Sequence, residues 1–380
     1  MKVIHTHVDK HNVIWKEILY SQYLSAVLAK KHYGNITFYG TSELVKQVQD
    51  IGIPYTSTND KLLSNADQDT WSIPKLKVYA EQTEKFLHID NDTFIFNKID
   101  LERNKKPFMF SHPDMLTKHI KANLTENFNK LINSSFSVQK EINPFFFDIN
   151  NTYTRLFFKL FNSHSTDFTE NLDIGSIPNM NIVYVEDFKT FTSVTNKALG
   201  HYTLNKEVID QEEYGPCYIE QFYIHQTLRA ENKEYRKYSG KFKHTYFKEL
   251  PLIQRDKHNN KPNINDIEYP LRFKLSNVCK CCGKKNTHKF SYNSKEELKE
   301  LLDYDFKGFL HTTYMKWYDF MQAYTIHQLR KEIGDNKLRV VHNYFKNVYP
   351  KYDLPIKSGG EKLYEELTGF KFDKVGSSII

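Results

Sequence analysis

Long apolar runs are missing from this 380-residue chain. No stretch approaches the roughly 18 uninterrupted apolar residues that a membrane-crossing helix needs, so a spanning segment is excluded. The opening, MKVIHTHVDKHN, lacks the apolar stretch of a secretory signal. Cysteine is scarce, with four residues of which three lie within Cys279–Cys282, and that is no disulfide framework. These absences together predict a cytoplasmic protein. There is no internal repeat and no low-complexity tract, which removes repeat architectures. Charge of one sign is not in large excess either. Fifty-three basic against 46 acidic side chains leave +7, which favours anionic ligands but falls far short of a polycationic tail. Aromatic residues, by contrast, are plentiful: 28 Phe and 25 Tyr bring them to 15%, although hydrophobic residues total only 39%. Disordered chains are poor in aromatics, so this composition predicts a folded core built on large rings. The five N-x-S/T sequons, at Asn35, Asn91, Asn123, Asn133 and Asn150, are what chance places in an Asn-rich chain.

The first third alternates strand and helix patterns. Val3–Ile4 is a short apolar start, and helical spacing runs from Trp15 to Lys31. Ile36–Tyr39 reads as a strand, Ser42 as the cap of a helix to about Asp50, and Gly52 as its end. Ile53–Tyr55 reads as an edge strand, Pro74 as the first turn of a helix reaching Thr83, and Phe86–Asp90 as a strand that stops at acids. Further on, Phe94–Phe96, Phe108–Phe110, Asn181–Val185 and Lys307–His311 read as strands. Residues 114–140 (in part), 186–200, 218–231 and those after about 311 read as helical, and Asn232–Asp266 as loop. This pattern predicts the α/β class, a mixed, mostly parallel twisted sheet flanked by helices.

The most informative segment is His88-Ile-Asp90-Asn91-Asp92-Thr93-Phe94. Two carboxylates one residue apart follow a buried strand, at the carboxyl edge where open α/β sheets place ligands. If the backbone bends there, both acids turn toward one point and suit a hard divalent cation that also takes phosphate oxygens. The plainer reading is a turn made by Asp and Asn.

Trp71-Ser-Ile-Pro-Lys75-Leu-Lys-Val-Tyr79 followed by FLHIDNDTFIF at 86–96 resembles the nucleotide-sugar core of GT-A glycosyltransferases. It is most similar to bacterial transferase-like proteins related to the family of glycogenin and the lipopolysaccharide galactosyltransferases. The likeness covers about 1–112 and returns in patches at 178–229 and 306–317. The resemblance implies a GT-A (Rossmann-like) fold in which Asp90 and Asp92 hold Mn²⁺ or Mg²⁺, with Asp90 also near the donor. It implies a donor-facing Lys75, against the alternative of a solvated helix lysine. His311-Thr-Thr-Tyr-Met-Lys316-Trp317 resembles the family's H-x-x-G-x-x-K, giving His311 as third metal ligand and Lys316 as diphosphate contact. It departs from that pattern at Tyr314, where the glycine would stand, and in a lysine one position early. Asn181 resembles the asparagine that meets the donor sugar. Glu220-Gln221 resembles the acidic-Gln pair near the reacting centre, against the alternative of a solvent-facing helix pair. Thr6 ends the first strand, where this fold holds the base.

The resemblance divides the chain into a nucleotide-sugar half at 1–112, an acceptor half at 113–317 with an insertion at about 232–300, and a C-terminal helical extension at 318–380. The implied partners are a nucleotide-sugar, by family habit a UDP-sugar, and an acceptor hydroxyl, by default on a glycan precursor. Cys279-x-x-Cys282-Gly has the shape of a zinc knuckle, but a second pair is missing, so Cys217 and His288 would have to complete a structural Zn²⁺ site. The lysines around it keep two alternatives open: a transferase acting on nucleic acid, and a non-catalytic, zinc-stabilised nucleic-acid-binding protein. A transferase fold without catalysis is a third.

Overall fold

Val3–Ile4, Ile36, Phe38, Phe86–Leu87 and Ile89 are apolar and buried, as in strands covered on both faces. In the computed structural model they form the centre of a seven-stranded sheet. The structure describes residues 1–9, 14, 16–64, 72–101, 106–110, 113–114, 177–178, 180–211, 215, 218–224, 227–228, 235–237, 247–248, 274–275, 296, 299–300, 302–303, 309–311, 319–348 and 357–373.

Strands β1 (Lys2–Thr6), β2 (Ile36–Tyr39), β3 (Ser57–Asn59) and β4 (Phe86–Ile89) are mutually parallel and lie in the order β3-β2-β1-β4. Helix α1 (Lys16–Tyr33) joins β1 to β2, α2 (Ser42–Ile51) joins β2 to β3, and α3 (Ile73–Ala80) precedes β4. After β4 the chain forms β5 (Thr93–Ile95), β6 (Phe108–Phe110), and a small ladder of β7 (Pro113–Asp114) with β8 (Ile177–Pro178). Strand β9 (Ile182–Val185) then enters between β4 and β6, antiparallel to both. Helix α4 (Phe188–Ile209) follows, then a π-helical turn, Tyr218–Tyr223. Strand β10 (Tyr235–Lys237) extends the sheet parallel to β6, while β11 (Phe247–Lys248) and β12 (Lys274–Leu275) pair with each other. Strand β13 (Phe309–His311) pairs antiparallel with β5, and α5 (Asp319–Val348) and α6 (Gly359–Thr368) complete the order. The expected mixed, mostly parallel sheet flanked by helices is therefore present.

Alternating strand residues feed two cores. Ile4, Phe86, Phe108 and Val183 pack against Leu76 and Tyr79 of α3 and Phe191 and Val194 of α4. Val3, Ile36, Leu87, Ile182 and Tyr184 face the other way, with Ala29 of α1. The larger apolar cluster outside that face joins α1 and α2 to α5 and α6, with Leu19, Leu24, Val48, Tyr324 and Leu363 among its members. Glu361, fully buried at the start of α6, fastens this layer. It accepts from the Tyr20 hydroxyl and the Ser358 amide and lies 2.7 Å from His342 Nδ1.

Several boundaries differ from the sequence reading. The edge strand sits at Ser57–Asn59 instead of Ile53–Tyr55, because Pro54 removes a ladder donor and Tyr55 turns inward to stack on Phe38. The cap of α2 is Thr41, whose side chain accepts from Leu44 N, one residue before the expected Ser42. Helix α3 ends at Ala80, short of Thr83. The Asn232–Asp266 stretch, read as loop, supplies β10 and β11. Gly52 closes α2 as expected, at φ 74°. Its nearest neighbour for an added Cβ is Lys337 Cε at 4.0 Å, so no clash is in play. Gly52→Ala should therefore show the left-handed backbone penalty alone, about 1–2 kcal/mol, read as a shifted urea midpoint with unchanged slope.

Candidate functional site

Strands β2 and β3 build the sheet outward on one side of β1, whereas β4, β9, β6 and β10 build it on the other. Chain order thus reverses between β1 and β4. The carboxyl ends of two strands flanking such a reversal bound the crevice where open α/β sheets take ligands. Thr6 and His7 leave β1 there, and Asp90, Asn91 and Asp92 leave β4 beside them.

The acid segment is a tight turn held on several sides. Thr93 N donates to Asp90 O at 3.0 Å, and Asp90 N donates to Asn181 O at 2.8 Å, tying the turn to the start of β9. Asn91 Nδ2 donates to Thr6 O at 2.9 Å, tying it to β1. Asp90 leaves the strand on the α3 face, the same side as Phe86 and His88.

On that face Lys75 meets it. Pro74 starts α3 with a preset φ, and Lys75 in the first turn is buried instead of solvated. Its Nζ lies 2.8 Å from Asp90 Oδ1 and 2.5 Å from Glu220 Oε1, with Met180 O at 3.5 Å. Glu220 arrives from the π-helical turn, a helix irregularity that recurs at functional sites. Its side chain is 1% exposed, that of Lys75 9%, and that of Asp90 21%, so only Asp90 faces the crevice. The Lys75–Glu220 contact is a close ion pair, and Glu220 Oε2 has no hydrogen-bond partner among the described residues.

The electrostatics follow from burial around one cation. Burial pushes the Glu220 carboxyl up from 4.5 to about 6, against the pull of Lys75. Burial alone would lower the Lys75 ammonium, but Asp90 and Glu220 overcome it and hold its pKa well above the ordinary lysine value. His88, beneath Asp90 with Nδ1 3.8 Å from Oδ1, is held neutral by burial and then by Lys75 and His5. Burial lowers the pKa of His7, while Asp9 and Asp92 push the other way.

Lys75, Asp90 and Glu220, expected from separate segments, meet side chain to side chain, and the backbones of Thr6 and Asn181 hold the same turn. Gln221 is buried next to Glu220 in the π-helical turn, and Asp92 is half-buried on the acid turn. The backbone of His311 lies directly opposite Thr93 in the β13–β5 ladder, one residue from Asp92 along the chain. Among the described residues no three His, Cys, Asp or Glu side chains gather into a metal cage, and the His311 side chain is not among them. Lys316, Cys217, Cys279, Cys282 and His288 lie outside the described residues. Sequence reasoning gave no role to His88, Tyr79 or Ser25, and took His5 and His7 only as residues closing the first strand with Thr6. The available signal was polar residues inside apolar runs: His88 within FLHI, and His5 within KVIHT.

Residues 6–143 match a family of unknown function, DUF6734. No curated protein matches the chain. Among solved structures, an active-site mutant of LgtC is similar at 10% identity, over 74% of this chain and 91% of that one, with a TM-score of 0.33. Mouse xyloside xylosyltransferase 1 in its apo form is similar at 9% identity, over 62% and 78%, with a TM-score of 0.27. Neither superposition is close enough to transfer a fold or a site. No described helix is long and apolar enough to cross a membrane.

Proposed function

We propose that this chain is a metal-dependent glycosyltransferase of the GT-A type, moving a sugar from a nucleotide-sugar, most simply a UDP-sugar, to an acceptor hydroxyl. The observation that carries the reading is the meeting of Asp90, Lys75 and Glu220 at the crevice where chain order reverses between β1 and β4. A glycosyl donor needs a cation-holding acid for its diphosphate and hydrogen-bonding groups for its sugar, side by side. The first need suits Asp90 and Asp92, whose hard oxygens fit Mn²⁺ or Mg²⁺. The second suits buried polar atoms nearby without a hydrogen-bond partner among the described residues: Glu220 Oε2, the Tyr79 hydroxyl, Thr6 Oγ1 and Gln221 Oε1. Hydroxyl groups are what such atoms accept from or donate to.

In this mechanism Asp90, Asp92 and His311 would hold the cation, which would supply positive charge for the diphosphate. Lys75, already charged beside Asp90, would add positive charge for the same phosphate oxygens, and Lys316 is proposed as a second diphosphate contact. Thr6 and His7 border the nucleoside. Asn181 and Gln221 would border the sugar, and Glu220, buried behind Lys75 with its carboxyl pushed up to about 6, would orient or deprotonate a hydroxyl brought within hydrogen-bond reach of it. The acceptor we propose is a hydroxyl of a glycan precursor.

The test is a thermal-shift panel of nucleotide-sugars on the full chain, each with and without Mn²⁺. A ligand at about 100 times its Kd stabilises the native state by about 2.7 kcal/mol. One donor should raise the melting temperature by several degrees with Mn²⁺ and not without it. A folded protein that shifts with no donor would overturn the transferase reading.

A further inference from the structure

Behind the acid turn, on the sheet face opposite Lys75, lies a chain of four polar side chains that the proposed chemistry does not use. Gln22 and Ser25 stand three residues apart on α1, so they share one face of the helix. That face is turned into the protein: Gln22 is fully buried, as is His5 of β1, and Ser25 nearly so. Ser25 Oγ donates to Thr93 O at 2.7 Å and lies 3.4 Å from Asp90 O, so it holds both ends of the turn that carries the acids. His5 Nε2 is 3.5 Å from the same hydroxyl, and His5 Nδ1 is 3.1 Å from the Tyr55 hydroxyl. Gln22 Nε2 donates to that hydroxyl at 3.0 Å.

With Gln22 Nε2 as donor to Tyr55, one continuous run of hydrogen bonds reaches Ser25. The Nε2 amino group donates, so Tyr55 accepts from it and gives its own proton to His5 Nδ1. That leaves the His5 proton on Nε2, pointing at Ser25 Oγ, whose single proton goes to the Thr93 carbonyl. Burial lowers the His5 pKa to about 3, so the ring stays neutral and the direction does not reverse at ordinary pH. The carbonyl at the far end belongs to the residue that faces His311 across the β5–β13 ladder. Its position therefore sets both where Asp90 and Asp92 point and where the histidine strand docks.

We infer that Ser25 is a positioning residue for the cation site, and that Gln22, Tyr55 and His5 fix the direction in which its hydroxyl donates. This rests on the metal reading above. Groups behind a metal ligand typically set affinity by 10- to 100-fold without touching the metal.

The experiment has two readouts on the full chain. Mn²⁺ alone is titrated and its free hexaaquo signal followed by electron paramagnetic resonance, and hydrogen–deuterium exchange is followed for the peptide spanning 86–96. Variants are Ser25→Ala, Ser25→Thr as the hydroxyl-keeping control, and Tyr55→Phe as the remote link. Expected are an about tenfold weaker Mn²⁺ affinity and faster exchange confined to the turn in Ser25→Ala. Ser25→Thr should stay near wild type, with Tyr55→Phe between them. If Ser25→Ala binds Mn²⁺ like wild type, the positioning role is overturned. If wild type binds no Mn²⁺ while Ser25→Ala still loosens the turn selectively, the cation reading falls and the hydroxyl's hold on the turn stands. Unchanged exchange in Ser25→Ala overturns the hold itself, whatever the metal does. Should Ser25→Ala fail to fold, Tyr55→Phe, which leaves the Ser25–Thr93 bond in place, decides on the same two readouts.

Discussion

Lys75→Met is expected to lower stability by about 3–5 kcal/mol, the usual consequence of removing one partner from a buried ion cluster. Lys75 is the cation between Asp90 at 2.8 Å and Glu220 at 2.5 Å, and Glu220 is 1% exposed. Without the ammonium, Glu220 must stay charged in a low-dielectric interior or take up a proton. The second route gives the variant a pH signature. In wild type the folded Glu220 pKa of about 6 stands above its ordinary 4.5, so between those values the native state holds a proton that the unfolded chain has lost. Stability from this group is therefore full below about pH 4.5 and falls, by about 2 kcal/mol, as pH rises through 6. Removing Lys75 takes away the one influence lowering that pKa, so the losing window extends upward. Urea unfolding should accordingly show a larger defect for Lys75→Met at about pH 7.5 than at about pH 5. Adding Glu220→Gln should shrink the defect and flatten its pH dependence. A defect that is small, or equal at both pH values, would mean that the Lys75–Glu220 pair is open to water.

The parts of this site legible in sequence were those written in consecutive residues. The apolar run Phe86–Ile89 closed by Asp90 announces a buried strand feeding a polar turn, and Pro74 ahead of Lys75 announces a helix start. Gly52 marks a helix end because only a left-handed residue fits there. What stayed hidden depends on contacts far apart in the chain. Nothing local in Ile182–Val185 says that it runs against β4 and β6, since a buried strand is equally apolar in either direction. Glu220 reads as one polar residue of a helix, and its burial becomes visible only when Lys75, 145 positions earlier by number, is seen to neutralise it. Gln22 and Ser25 read as ordinary polar positions on α1, because helical spacing does not show that the partner strand brings His5 against them. Pro54 was a local signal and was outweighed in the reading by its apolar neighbours Ile53 and Tyr55, which displaced the edge strand by a few residues.

The two acids of the turn should separate in their effects, and that separation tests the metal assignment more sharply than loss of binding does. Asp92→Asn should abolish Mn²⁺-dependent donor binding while lowering ligand-free stability less than Asp90→Asn does, because Asp90 is the acid paired with the buried Lys75. Asp90→Asn should abolish the same binding but also lower ligand-free stability by about 1–3 kcal/mol, since it takes one of the two carboxylates from the buried Lys75. Both substitutions preserve side-chain size, so a packing defect cannot imitate the contrast. The readouts are urea unfolding without ligand and calorimetric titration of Mn²⁺ with the donor found by thermal shift. If both variants lose stability equally, Asp92 is a structural turn residue and the cation is held elsewhere. If Asp92→Asn binds the donor like wild type, the pair is the turn that Asp and Asn commonly make, and the transferase chemistry loses its metal. If only Asp90→Asn keeps Mn²⁺, Lys75 remains bound to Asp90 throughout, and the site is an ion-paired turn with one working carboxylate. The contrast depends on one geometric fact: Asp90 pairs with the lysine of α3, and Asp92, two residues on, is past the strand and half-buried on the turn.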